Sequence, residues 1–467
     1  MVNRLTPQDA SFYLLESSSS PMHIASLAIL DNADDALDYD KLLEIVERRL
    51  FLVPRYRKRV REVPFGLALP VWADDRDFDI TYHIRRSALP KPGSDEQLHE
   101  LVARLSSRPL DKTLPLWEMY FVEGLSRNRV AIFTKSHSAL VDGDEALEIG
   151  HVILDNSAAP RELGDDLWRP TVDPSDTALA LGAIGELMSS PGEGVELARR
   201  AAGGVTEAFG NVTAGVSKFF QSLQTATRTV PESPLNAPIS RNRRFAVAAT
   251  ELSDYRKIRA RFGGTINDAI LSVVTGALRA WLFSRGEPVT ASSTVRALVP
   301  LSVYIGDPSA QAVESSPSEV SSWLVDLPVG EPNPVIRLSH IKHASQLQAR
   351  QRRSVEARTL LRMSGFAPAS LHAMSVRSAS TYSQRTFNVM ITNAPGPQRP
   401  MYVGGARMLE MYPVSPLLRN QALNIGMTSY NGRVYYGLNA DREAMPDVDV
   451  FRALLDESME EMLGVCA

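Results

Sequence analysis

The chain has 467 residues, 44% hydrophobic and 22% charged, with 50 Lys and Arg against 54 Asp and Glu for a net charge of −4. These proportions are those of a soluble globular protein long enough for two or three domains, and the near-neutral charge excludes a nucleic-acid binder that works by bulk positive charge. A single cysteine, Cys466, excludes intramolecular disulfides and cysteine-based metal sites and fits a reducing cytosol, while the lack of an apolar signal core or of any run near 18 apolar residues argues against secretion and membrane spanning.

In chain order, Met22 to Leu30 reads as a strand. Tyr39 to Leu50 reads as an amphipathic helix with Leu42, Leu43, Val46 and Leu50 on one face. A second helix is predicted over Ser94 to Ser107, with Ser94 as N-cap and Leu98, Leu101, Val102 and Leu105 as its apolar stripe. Trp117 to Glu123 and Arg129 to Thr134 read as strands joined by a turn near Gly124 to Asn128, and a helix is expected after Gly143, to about Leu154.

Residues 157–240 are richer in Ala, Gly, Ser, Pro and Thr and read as a linker. Within it Val205, Phe209, Val212, Val216, Phe219 and Leu223 recur at helical spacing. That face either packs on a domain or touches a membrane or lipid droplet. The mixed pattern resumes beyond, with strands over Arg244 to Ala249, Val295 to Val303 and Phe387 to Thr392. Helices are predicted over Asp254 to Phe262, Ile266 to Arg285, Pro334 to Ser354 and Asp447 to Leu463. Asn431-Gly432 between two β-rich runs, Ala422 to Tyr430 and Arg433 to Leu438, marks a hairpin. The organisation expected is α/β, with a first lobe over 1–156, the linker over 157–240 and a second lobe over 241–467.

The stretch that carries chemistry is Thr134-Lys-Ser-His-Ser-Ala-Leu-Val-Asp-Gly143, between a buried strand and a helix. Histidine at a strand end with a carboxylate on the next turn, here His137 and Asp142, is one arrangement of a general base and its support; a satisfied structural pair has the same pattern. Gly143 permits a tight turn. His340 and His343 have the i, i+3 spacing of metal ligands, but no third ligand is near in sequence, so no metal site is expected. No Gly-x-Ser-x-Gly elbow, Walker loop or convincing GxGxxG is present.

The stretch resembles the His-His-x-x-x-Asp-Gly signature of the bacterial wax ester synthase/acyl-CoA:diacylglycerol acyltransferases, in the CoA-dependent acyltransferase superfamily. Leu5-Thr-Pro-Gln-Asp-Ala-Ser-Phe12, Pro21-Met-His-Ile24, Arg108-Pro-Leu-Asp111 and Pro115-Leu-Trp-Glu118 are similar to family blocks. So are Ile266-Asn-Asp268, Val299-Pro-Leu-Ser302, Leu327-Pro328, Asn393-Ala-Pro-Gly-Pro397, Ala422-Leu-Asn424 and Pro446-Asp447. The resemblance implies two chloramphenicol-acetyltransferase-like lobes with mixed sheets and an active-centre tunnel at their junction. It implies long-chain acyl-CoA as co-substrate, diacylglycerol or a long-chain alcohol as acceptor, and no cofactor. It also implies a cytoplasmic protein with peripheral contact at the inner membrane or lipid droplets. Asn267, Asp268, Asn393 and Gly396 would shape the tunnel, although Asn267 and Asp268 also suit a helix cap and Asn393 to Pro397 a rigid turn. Asp142 would hold its loop by pairing with an arginine, for which Arg296 is the candidate.

One position departs from the signature: Ser138 stands where the family has its second histidine, usually taken as the base. A hydroxyl accepts no proton near neutral pH, whereas imidazole does, and general-base catalysis is worth about 10²–10⁴-fold. Three readings follow. His137 acts as base, directly or through a water held by Ser138; positioning alone gives weak activity; or the chain is a non-catalytic lipid- or acyl-CoA-binding relative.

Overall fold

The computed structural model describes residues 3–64, 68–141, 149–159, 161, 166, 168–189, 230–301, 321–351 and 387–466. Two six-stranded mixed sheets dominate it. The strands are β1 (His23–Asp31), β2 (Lys58–Arg61), β3 (Val71–Asp74), β4 (Ile84–Ala88), β5 (Trp117–Leu125), β6 (Arg129–His137) and β7 (Arg243–Glu251), followed by β8 (Val295–Leu301), β9 (Ser321–Leu327), β10 (Val389–Pro395), β11 (Tyr402–Val403), β12 (Ala406–Val414), β13 (Leu423–Tyr430) and β14 (Arg433–Asp441). The first sheet runs β11-β12-β1-β6-β5-β4 and the second β7-β14-β13-β10-β8-β9, with β2 and β3 as a separate ribbon.

Helices α1 (Pro7–Leu15), α2 (Tyr39–Arg49), α3 (Ile80–His83), α4 (Asp95–Ser106), α5 (Ser138–Val141) and α6 (Ile149–Val152) accompany the first sheet. The α4 start is fixed by a capping box, Ser94 accepting from the Gln97 amide and Gln97 from the Ser94 amide. Leu98, Leu101, Val102 and Leu105, at i, i+3, i+4 and i+7, are all buried in the first core with Leu42 and Val46 of α2. Helix α7 (Asp176–Ser189) follows. Salt bridges from Arg59 to Asp173 and from Arg61 to Asp173 and Asp176 tie its first residue and the chain before it to β2. The helical face expected at 205–223 lies outside the described residues.

In the second half, α8 (Leu252–Phe262), α9 (Ile266–Ser284), α10 (Pro334–Gln351) and α11 (Val448–Gly464) accompany the second sheet. Helix α9 is long and apolar enough to cross a membrane, but it is mostly buried. Its Val273, Val274, Ala277, Leu278 and Trp281 lie in the second core. The Asn431-Gly432 hairpin joins β13 and β14 in unbroken antiparallel register, both turn residues at positive φ.

The chain order of the lobes has one exception. Strands β11 and β12, from the second half, complete the first sheet, β12 pairing antiparallel with β1. Tyr402 also exchanges backbone hydrogen bonds with Asp155 at 2.8 and 2.9 Å. On its way back β12 crosses β14 so closely that a Cβ on Gly437 would stand 1.8 Å from the Pro413 carbonyl oxygen, so only glycine fits there.

Candidate active site

The signature begins at the end of β6, whose nine residues are all buried. The strand is held on both sides: the His137 amide donates to Leu116 O and the Ser138 amide to Met22 O, each at 2.9 Å. His137 is fully buried, and its Nδ1 accepts the Ala139 amide at 3.0 Å. The Nδ1 lone pair is thus occupied, and the neutral ring carries its proton on Nε2. Nε2 lies 3.9 Å from Glu16 Oε2, with no hydrogen-bond partner among the described residues. The Glu16 carboxylate is engaged by Lys112 Nζ at 3.0 Å and the Met22 amide at 3.3 Å. Burial, with the Lys112 charge adding to it, pushes the His137 pKa down to about 3. The ring is therefore neutral across the physiological range, and it can take a proton only by releasing the Ala139 amide. Ser138 is buried at the start of α5, while Asp142 and Gly143 lie outside the described residues.

The two flanks of the signature are braced. The Tyr56 hydroxyl donates to Ser136 Oγ and accepts the Ile149 amide, each at 3.2 Å. Arg49 donates to the carbonyls of Val152 and Ile153 and to Asp155 Oδ2 at 2.7 Å, an ion pair with both side chains buried. Lys135, fully buried in β6, meets Glu118 Oε2 at 3.1 Å and the Arg108 carbonyl at 2.9 Å. Burial lowers its pKa. This pairing ties the Arg108 to Asp111 block to the strand behind His137.

In the second half, Asn393 Nδ2 donates to Asn267 Oδ1 at 3.1 Å, so two sites far apart in sequence meet between β10 and α9. Asp268 forms a reciprocal cap with Thr265. Gly396 lies against β13, where a Cβ would stand 2.4 Å from the Ser429 carbonyl oxygen, which accounts for glycine after Pro395. Arg296 forks onto Asp326, Nε to Oδ1 at 2.7 Å and Nη2 to Oδ2 at 3.2 Å. His340 and His343 are exposed on α10. The halves join through polar contacts. Arg243 donates to Ser19 O and pairs with Asp441, and Ser20 donates to Leu417 O at 2.6 Å. A cavity of about 10 Å³ lies at that seam, lined by His23, Ser106, Arg243, Ser415 and Asn439 among others.

The family profile for the wax ester synthase/diacylglycerol acyltransferase catalytic domain matches residues 5–270, and that for the WS/DGAT C-terminal domain matches residues 318–463. The chain belongs to this family. It is 31% identical over 467 residues to the "Probable diacyglycerol O-acyltransferase tgs1" of Mycobacterium tuberculosis (strain ATCC 25618 / H37Rv), covering 99% of this chain and 96% of that protein. It is 54% identical over 263 residues to the "Probable diacyglycerol O-acyltransferase tgs3" of the same strain, covering 56% of this chain and 97% of that protein. The fold matches the wax ester synthase/diacylglycerol acyltransferase from Marinobacter aquaeolei VT8 with a TM-score of 0.71 at 24% identity, covering 99% of each chain. It also matches the first condensation domain of the CDA synthetase, with a TM-score of 0.56 at 13% identity, covering 99% of this chain and 96% of that one.

For this WS/DGAT member, residue-by-residue sequence reasoning did not single out Glu16, Tyr56 or Lys112. Glu16 and Lys112 reach His137 only through the packing of α1 and the 107–116 loop, which no local pattern reveals. Lys135 did carry a signal: a lysine inside a strand otherwise buried on both faces requires an acidic or carbonyl partner.

Proposed function

We propose that this acyltransferase moves a long-chain acyl group from acyl-CoA to diacylglycerol, giving triacylglycerol, with long-chain alcohols as a second acceptor class giving wax esters. The observation that carries the proposal is the likeness to tgs1 over 99% of this chain, together with the higher identity to tgs3 over its length. In the reaction the acceptor oxygen forms a bond to the thioester carbonyl carbon, the carbon–sulfur bond breaks, and the hydroxyl proton ends on the CoA sulfur. This chemistry calls for no metal or redox cofactor. Because the acceptors dissolve in lipid, the proposal places the protein in the cytoplasm in peripheral contact with the inner membrane or lipid droplets.

Two readings of the proton step differ in what His137 does. In the reading the geometry favours, His137 is a positioning residue: its Nδ1 holds the Ala139 amide and fixes the turn that presents Ser138. The proton then travels without a side-chain base, through a water held by Ser138. In the second reading the turn opens, Nδ1 is released and His137 becomes the base. The Glu16 carboxylate 3.9 Å from Nε2 supports this reading, since it would stabilise the imidazolium formed.

Purified full-length protein given long-chain acyl-CoA and diacylglycerol is expected to release free CoA and form triacylglycerol. Release no greater than that of a His137→Ala, Ser138→Ala double variant would overturn the proposal and leave a lipid-binding relative.

A further inference from the structure

The geometry points to Tyr56 as the positioning residue that sets the signature turn for acyl transfer. Ser136, which receives the Tyr56 hydroxyl proton, directly precedes His137. Ile149, whose amide the same oxygen accepts, opens α6 beyond the signature. Both flanks of the stretch 137–148 therefore end on one phenolic oxygen. A tyrosine hydroxyl has one proton to donate and lone pairs to accept with, and each flank uses one of these capacities. Phenylalanine would keep the ring and lose both bonds.

The ring itself has little freedom. Tyr56 is 1% exposed. The Trp117 indole nitrogen donates to the Tyr56 carbonyl at 2.8 Å, and the two rings meet edge to face with centroids 5.7 Å apart. Trp117 is stacked in turn on His83 at 4.6 Å, and His83 Nδ1 is 2.8 Å from the Trp117 carbonyl oxygen. A hydroxyl on so fixed a ring is a reference point for whatever it binds. Its partners are the entry to and the exit from the signature, so its loss changes the placement of the turn without removing a group that meets substrate. A misplacement of about 1 Å in an active centre costs on the order of 10²-fold.

This inference rests on the acyl-transfer reading, and two measurements on the full chain separate the two. Amide hydrogen exchange compares wild type with Tyr56→Phe. Ile149 is expected to lose at least about tenfold protection while the β13–β14 hairpin keeps its own. CoA-release kinetics compare Tyr56→Phe, Ser136→Ala and the pair. In Tyr56→Phe, kcat is expected to fall about 10- to 100-fold with the KM for acyl-CoA changed less than about threefold, and the double variant is expected to be no worse than Tyr56→Phe alone. Unchanged exchange at Ile149 overturns the clamp. Faster exchange with kcat unchanged, or losses that add in the double variant, overturns its role in positioning. A wild-type chain that releases no CoA refutes the acyl-transfer reading and this role together, and the exchange result then bears on the clamp alone.

Discussion

Replacing Ser138 by histidine tests how the proton leaves the acceptor. With its pKa near 3, His137 is already deprotonated at pH 5, where fewer than about one ring in a hundred carries a proton. A base works only when deprotonated, so a group that loses its proton near pH 3 produces no rising limb between pH 5 and 8. The wild-type rate of CoA release is therefore expected to be flat in that window. Position 138 is buried, and an imidazole there should titrate somewhat below its ordinary ~6.5. Ser138→His is expected to raise the rate about 10²–10⁴-fold, equivalent to about 3–5 kcal/mol of barrier, and to introduce a limb that rises with pH and has its midpoint below about 6.5. The assay is the initial rate of thiol appearance from acyl-CoA with diacylglycerol in mixed micelles, with circular dichroism to confirm folding. A wild-type limb with a midpoint between about 6 and 7 that vanishes in His137→Gln would refute the reasoning and make His137 the base. An unchanged, flat Ser138→His profile would remove position 138 from the reacting centre.

Three further outcomes are expected. His137 has a folded pKa far below its unfolded value of ~6.5, so its contribution is fully present above that pH and is lost as pH falls toward 3. Urea unfolding at pH 7 and pH 5 should therefore show wild type losing ~2 kcal/mol more than His137→Asn, whose side-chain oxygen takes the place of Nδ1 and can accept the Ala139 amide. Arg49→Ala leaves Asp155 buried, with Arg161 at 3.6 Å as its remaining ion-pair partner among the described residues, and should cost about 3–5 kcal/mol in the same assay. Arg49→Met with Asp155→Leu removes both buried charges, leaves only the solvent-exposed Arg161 without this carboxylate, and should cost clearly less. Gly437→Ala forces a methyl against the Pro413 carbonyl and should destabilise by about 1–3 kcal/mol, whereas Gly185→Ala, in helix α7 with open space around it, should stabilise by about 0.5–1 kcal/mol.

Legibility followed the range of the interaction. Helices α2 and α4 could be read because their stripes and caps are local, and the β13–β14 hairpin because two turn residues fix its register. Helix α1 was missed: it begins at Thr6-Pro7 and spans only nine residues. β12 is not legible because Leu409, Glu410 and Met411 break the apolar–polar alternation of its sequence, although its burial alternates, and because its partner β1 lies almost four hundred residues earlier. At the site, the position of the signature was readable, and so was the chemical consequence of Ser138. The state of His137 was not, because it depends on the Ala139 amide folding back onto Nδ1 and on carboxylate and ammonium groups from α1 and the 107–116 loop. The Asn267–Asn393 bond likewise required β10 to be placed beside α9, which neither segment specifies alone.

The return of β12 to the first sheet bears on how the protein is made. Until residue 414 has left the ribosome, the outer edge of β1 presents its amides and carbonyls to solvent, open to pairing with another nascent chain. Truncations that end after the linker should carry the same raw border, so fragments cut between the halves are expected to precipitate where the intact polypeptide does not.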